Sequence, residues 1–287
     1  MSTFPLPSSS DAVGGQCPGA YGLGFSGLAD PSFLATAAPH WPVVEVVRRR
    51  GRVTDARTTL DGRGAQFELT EGGSLVIERA ARRSVFTTPD ELSDPELVHP
   101  HLAPVGAAFA WWAQHEAFHA GAVAVDGGAW AILGDRSAGK SSTLAQLALA
   151  GHDVICDDML VIDHGRALAG PRCVDLRLAT AEGLGIGKPM VIRGGRERWR
   201  VALGPVPAEL PFRGWIFLAW GDDLSADRLP GGERLALLAG HRSVMIEPTD
   251  PSTLLELASL PAWCLTRPKQ LSSLPVAVDR LLDLTMS

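Results

Sequence analysis

Gly134-Asp135-Arg136-Ser137-Ala138-Gly139-Lys140-Ser141 has the spacing GxxxxGK[ST], that of a phosphate-binding loop. Glycines let backbone N–H groups turn inward around phosphate oxygens. A helix starting directly after them presents the positive end of its dipole to the anion. Lys140 can reach the β- and γ-phosphates, the Ser141 hydroxyl can ligate Mg²⁺, and Ser142 completes the set of residues that a nucleotide would contact. Only Lys140, Lys188 and Lys269 among the 26 basic residues are lysines. A compact ammonium on a flexible stem is what the loop needs, and arginine does not replace it conservatively. Lys188 and Lys269 stand in no comparable set.

A second group is acidic. Val154-Ile155-Cys156 reads as a short apolar strand that delivers Asp157 and Asp158 to the sheet edge carrying the loop, where ligands of open α/β sheets bind. Successive strand residues point to opposite faces, so one carboxylate can hold Mg²⁺ while the other faces an acceptor hydroxyl as general base. His119 enters by register. If Asp126-Gly127 is a two-residue type I′ turn, Val125 pairs with Gly128, and counting outward sets His119 opposite Gly134 at the mouth of the loop. From there it could polarise an aspartate, touch a phosphate, or serve as a structural histidine.

Two further groups admit other readings. His115-Glu116-Ala117-Phe118-His119 spells HExxH, a zinc-protease pattern if helical, yet Ala122 stands where the extended motif has glycine and no third ligand follows. Arg193, Arg196, Arg198 and Arg200 can grip an anion or acidic peptide, or form a solvated loop. Trp215, Trp220 and Trp263 sit in apolar, strand-like text and read most simply as core.

The elements that must position these residues follow from pattern. Residues 1–20, rich in Ser, Pro and Gly, read as a tail. Residues 21–100 alternate and turn often, with Glu71-Gly72-Gly73 as a hairpin, and read as a small β-rich module. Residues 101–287 read as the catalytic unit. It opens with an apolar helix over Leu102–Phe118 that packs between the two halves. Strands at Ala120–Val125 and Gly128–Leu133 follow, then a helix at Ser142–Ala150 closed by Gly151 and a strand at His152–Cys156. A hairpin turns at Asp163-His164-Gly165. Beyond it come strands at WRVAL and GWIFLAW, a surface loop at Gly221–Gly232, and helices at Pro251–Leu260 and Val276–Leu284.

Composition narrows the function. At 287 residues with 46% hydrophobic content the chain can bury a substantial core, and a net charge of −6 argues against a duplex nucleic-acid binder. The start lacks the basic-then-apolar pattern of a secretory signal, no apolar run is long enough to span a membrane, and the four cysteines form no CxxC pair. A cytoplasmic protein without disulfides or membrane contact is expected, with a homo-oligomer left open.

Taken together, HAGAVAVDGGAWAILGDRSAGKSSTLAQLALAGHDVICDD resembles the catalytic domain of HPr kinase/phosphorylase and its relatives. That family has a histidine opening a strand, a short hairpin, a GDSGxGKS-like loop, a helix ending in Gly-His, and a strand ending in an acidic pair. Cys173-Val174-Asp175-Leu176-Arg177 is similar to a Glu-Ile-Arg segment whose acid approaches the metal. The N-terminal module is more similar to diverged members that phosphorylate a serine of lasso-peptide precursors. The resemblance implies an α/β P-loop kinase core of the HPr kinase/PEP carboxykinase-like type. It implies ATP and Mg²⁺ as cofactors, with γ-phosphoryl transfer to a hydroxyl, foremost a serine of a peptide or small protein. Asp157 would be the base, His119 its support, Lys140 and Ser141 the nucleotide and Mg²⁺ contacts, and Asp158 and Asp175 metal ligands. Arg136 and Ser137 replace a small residue and a glycine of the family loop, so Ser137 must take a backbone angle that glycine takes at less cost, and Arg136 can reach over the phosphates. A nucleotide-binding regulatory module without turnover and a small-molecule hydroxyl kinase are the alternatives.

Overall fold

The computed structural model describes residues 17–53, 57–70, 72–192, 196–244 and 251–286. The expectations for residues 1–16, Glu71 and Arg193, and for the side chain of Arg196, lie outside these. The chain is of the mixed α/β class, with helices against several sheets.

The first sheet runs β3-β1-β2-β4-β8-β7-β6-β5. Its strands are β1 (Pro18–Ala20), β2 (Leu23–Ser26), β3 (Ala35–Thr36), β4 (Val43–Arg50), β5 (Thr59–Leu60), β6 (Gly64–Leu69), β7 (Gly73–Glu78) and β8 (Arg83–Thr88). Alternation sets its buried face: Leu75 and Ile77 point inward, whereas Val76 between them is exposed. The expected tail ends too late, because Pro18–Ala20 already pairs with β2 through a turn at Tyr21 and Gly22, both at positive φ. Tyrosine is not a residue that announces such a turn.

After α1 (Asp94–Glu96), the irregular turn Leu97–His101 leads into α2 (Ala103–Trp112). The predicted helix to Phe118 stops at Trp112. Gln114 takes a left-handed φ of 63°, and Glu116–Phe118 is instead β9, antiparallel to β13 (Leu160–Asp163). Backbone pairing with a neighbouring strand overrides the apolar content that reads as helix. Leu102, Val105 and Ala108 of this region pack in one core with Leu23, Phe25 and Val44 of the first sheet, with Val161 of the second and with Met159 just before it. The predicted packing role is therefore met by a shorter helix.

The second sheet runs β12-β10-β11-β18-β14-β13-β9, with β20 on β18 and β19 on β20. Its members are β10 (Gly121–Val125), β11 (Gly128–Leu133), β12 (Val154–Cys156), β13 (Leu160–Asp163), β14 (Arg166–Leu168), β18 (Glu209–Trp220), β19 (Ser225–Arg228) and β20 (Ala262–Arg267). Val125 does pair with Gly128. The strand carrying the acidic pair joins the sheet as expected, with β10 interposed between it and β11. The predicted loop at 221–232 contains β19 and the start of α5 (Gly231–Gly240). Adjacent residues of the central strands serve opposite faces. Trp130, Ile132, Ile216 and Leu218 pack with Leu144 and Leu147 of α3 (Lys140–Leu149) and Leu281 of α7 (Leu274–Met286). Ala129, Ala131, Trp215 and Phe217 pack with Leu238 of α5 and Leu257 of α6 (Pro251–Ser259). A small third sheet, β15-β17-β16, combines β15 (Cys173–Leu176), β16 (Lys188–Ile192) and β17 (Arg196–Ala202), with α4 (Leu178–Leu184) beside it. The four cysteines are free thiols. No helix among the described residues is long and apolar enough to cross a membrane.

Candidate active site

Residues 134–139 connect the end of β11 to the start of α3, between two parallel neighbours of the sheet and the helix N-terminus. The loop depends on its glycines. Gly134 has φ 149° and a Cβ there would lie 2.9 Å from the Leu218 carbonyl oxygen; Gly139 has φ 94° and a Cβ would meet Arg267 at 2.7 Å. Ser137, standing where the family loop has glycine, does adopt a left-handed φ, 71°. Two partners hold it there: Arg177 donates to its Oγ at 3.1 Å and Trp220 Nε1 donates to its carbonyl at 3.2 Å. Asp135 and Arg136 are exposed, Arg136 at the border of the cleft, and Ala138 is buried beneath the loop.

Lys140 is 9% exposed and its Nζ curls over the loop to donate to the carbonyls of Gly134 at 2.6 Å and Asp135 at 3.3 Å. Burial pulls its pKa below the usual lysine value, while Asp158, Asp157 and Asp135 pull the other way. In the first turn of α3, Ser141 Oγ donates to Asp157 Oδ1 at 3.1 Å. Asp157 is 4% exposed. Burial, reinforced by the neighbouring charge of Asp158, raises its pKa to about 7, against the opposing Ser141 hydrogen bond.

Asp158 takes a left-handed φ of 71°, which swings its carboxylate away from Asp157 toward His119, whose Nδ1 lies 3.2 Å from Asp158 Oδ1. The expected His119–Asp157 pair is therefore not the one formed. Both side chains of the His119–Asp158 pair are near half exposed, so this pair faces the cleft where Asp157 lies beneath it. His119 itself occupies the kink between β9 and β10, its N–H bonded to the His241 carbonyl at 2.7 Å.

Asp175 borders the same cleft, but its carboxylate is gripped by a fork from Arg200, Nε to Oδ1 and Nη2 to Oδ2, both at 2.7 Å. Arg200 also donates to the carbonyls of Pro95 and His99. His99 Nε2 lies 3.8 Å from Asp175 Oδ2, and burial lowers its pKa. A metal ion at Asp175 would have to share a carboxylate that a buried guanidinium already neutralises.

The cleft holds about 750 Å³ and draws on Arg267, which the sequence does not single out, and on Arg177, Trp220 and Lys269, to which the sequence assigns no part in the site. Trp215 is core as predicted, but Trp220 lines the cleft, with Arg267 stacked at 4.4 Å from its ring centre and Lys269 at 5.9 Å. Of the arginine cluster, Arg198 borders the cleft and Arg200 is buried beneath it. The HExxH reading fails on geometry. Its residues lie on and beside a strand, and Glu116, 5% exposed, is paired with Arg242 at 2.9 Å rather than free to activate water.

No family model matches the chain, and no curated protein does. Among solved structures, the HPr(Ser) kinase/phosphatase from Coxiella burnetii is similar with a TM-score of 0.29 and 12% identity, over 60% of this chain and 98% of that chain. At that TM-score the likeness carries no weight for fold or activity.

Proposed function

We propose that the chain is an ATP- and Mg²⁺-dependent kinase with a core of the HPr kinase/PEP carboxykinase-like type. It would transfer the γ-phosphoryl group to a hydroxyl, foremost a serine of a peptide or small protein. One observation carries this reading. A glycine-bent loop with a buried lysine opens onto the same cleft as two adjacent carboxylates that have separate partners, Ser141 for Asp157 and His119 for Asp158.

The donor set fits Mg²⁺. Ser141 Oγ and the Asp157 carboxylate supply oxygen only, the chemistry of a hard cation, and the raised pKa of Asp157 marks a place where positive charge would be welcome. Bound there with nucleotide, the ion would neutralise charge developing on the phosphates. The protein's own residues do the rest. Loop N–H groups and the α3 terminus hold phosphate oxygens, Lys140 exchanges its two loop carbonyls for phosphate, and Arg136, Arg177 and Arg267 rim the cleft with fixed positive charge. Asp158, oriented by His119, accepts the hydroxyl proton. This exchanges the two aspartate roles expected from the resemblance, because the buried carboxylate bonded to Ser141 is the one placed for metal. The free thiols fit a reducing compartment such as the cytoplasm.

The test is transfer of label from γ-labelled ATP to a panel of hydroxyl peptides, with nucleotide binding measured in parallel. Asp158→Asn should bind nucleotide and lose turnover by about 100-fold or more, while Asp157→Asn should lose Mg²⁺-dependent binding. Binding without transfer to any acceptor would favour a regulatory module instead, a reading that the Arg200 fork on Asp175 supports by occupying one expected metal ligand.

A further inference from the structure

We propose that His115, Asp163 and His164 form a transition-metal site, with Zn²⁺ as the ion that fits them. The site lies outside the cleft and does not depend on the kinase reading.

Two ligands come from one hairpin. Asp163 ends β13, and His164 and Gly165 form its turn with φ values of 42° and 74°, so adjacent residues are held in a fixed relation. The third comes from the neighbouring strand. β9 and β13 are antiparallel with Ile162 opposite Glu116, which puts His115 beside Asp163 at the next step of the ladder. His115 Nε2 lies 3.1 Å from Asp163 Oδ1, and His164 Nδ1 contacts the same oxygen. One ligand atom from each residue falls within 4.8 Å of the others.

The distances suit a small tetrahedral ion. Bonds of about 2.0–2.1 Å to nitrogen and oxygen place neighbouring ligand atoms roughly 3.3 Å apart, so the three side chains need only open slightly around a centre. Two imidazoles and one carboxylate select zinc or a similar ion over Mg²⁺ or Ca²⁺, which prefer all-oxygen shells. The His164 side chain is 90% exposed, leaving water to complete the coordination. His115 thus contributes to a metal site different from the one HExxH suggests: its partner is Asp163 across the ladder, not His119 along the chain. His119 and Asp158 lie just beyond the other end of that ladder, so a metal here would brace the strands that lead to them.

The experiment uses the full chain without an affinity tag, stripped with chelator and held in excess Mg²⁺ to cover the oxygen site. Calorimetric titration with Zn²⁺ should give one equivalent bound at a dissociation constant of about 1 μM or tighter, with a thermal midpoint raised by about 5 °C at saturation. Titration with Co²⁺ should give the visible absorption of a four-coordinate nitrogen and oxygen site. His115→Ala and His164→Ala should each weaken binding at least 30-fold, whereas His152→Ala should not. His164 sits on an exposed turn, so its variant keeps the fold and keeps the test decisive. No binding by the parent, or equal binding by parent and both variants, would overturn the proposal. The aspartate would then simply accept hydrogen bonds from two histidines.

Discussion

Asp157→Asn offers a test that reads the site through stability, before any substrate is known. In the folded protein Asp157 titrates near 7, in the unfolded chain near 3.8. Between those values the folded state holds a proton that the unfolded state has released, so stability falls as pH rises and levels off above about 7. The full displacement corresponds to a ceiling of about 4 kcal/mol, of which about 2–3 kcal/mol is lost between pH 5 and pH 8. Asparagine is close in shape to the protonated acid, can still accept from Ser141, and does not titrate. The gap in unfolding free energy between variant and parent should therefore widen in the variant's favour by about 2–3 kcal/mol from pH 5 to pH 8, measured by denaturant melts without nucleotide. Mg²⁺ with ATP should close that gap by stabilising the parent alone. A gap that stays constant with pH, or a variant that loses stability at pH 8, would refute the account of Asp157 as a buried carboxylate awaiting a cation.

Lys140→Arg should lower transfer by at least about 100-fold while leaving the fold intact by circular dichroism, because a planar fork cannot follow the ammonium into a site closed by the Gly134 and Asp135 carbonyls. Ser137→Gly should raise stability by about 0.5–1 kcal/mol in denaturant melts by releasing the left-handed strain, and a loss instead would mean that the Arg177 bond outweighs it. Arg200→Met should cost about 3–5 kcal/mol by stranding Asp175, both side chains being about 5% exposed or less. Pairing it with Asp175→Leu should recover most of that loss.

The parts of the site that are continuous in sequence were legible there. The loop, its following helix and the acidic pair each occupy a few neighbouring residues, and the hairpin count brought His119 to the loop across a two-residue turn. What could not be read depends on chain that arrives from far away. Arg200 reaches Asp175 from another strand, and Trp220, Arg267 and Lys269 meet only because β18 and β20 lie side by side. The partner of His119 turned on one dihedral, the positive φ of Asp158, for which an aspartate after an aspartate gives no signal. Likewise, apolar content over residues 102–118 reads as helix until the pairing of β9 with β13 is known. The alternating text of residues 21–88 reads as strands, and β4 and β7 there do show alternation of buried and exposed residues.

The clasp on Ser137 has a thermal consequence. Loop geometry here is fixed by the indole of Trp220 and the guanidinium of Arg177, which stand at the ends of β18 and β15. Ordering the loop is thus part of folding and not part of capture, and association with an anion needs little further loss of freedom. The reverse also holds. Fraying of those ends, with Trp220 lying three residues beyond the last pair that β18 makes with β11, would release the clasp while the strand centres stay intact. On warming, affinity for nucleotide should fade several degrees below the temperature at which the core itself melts.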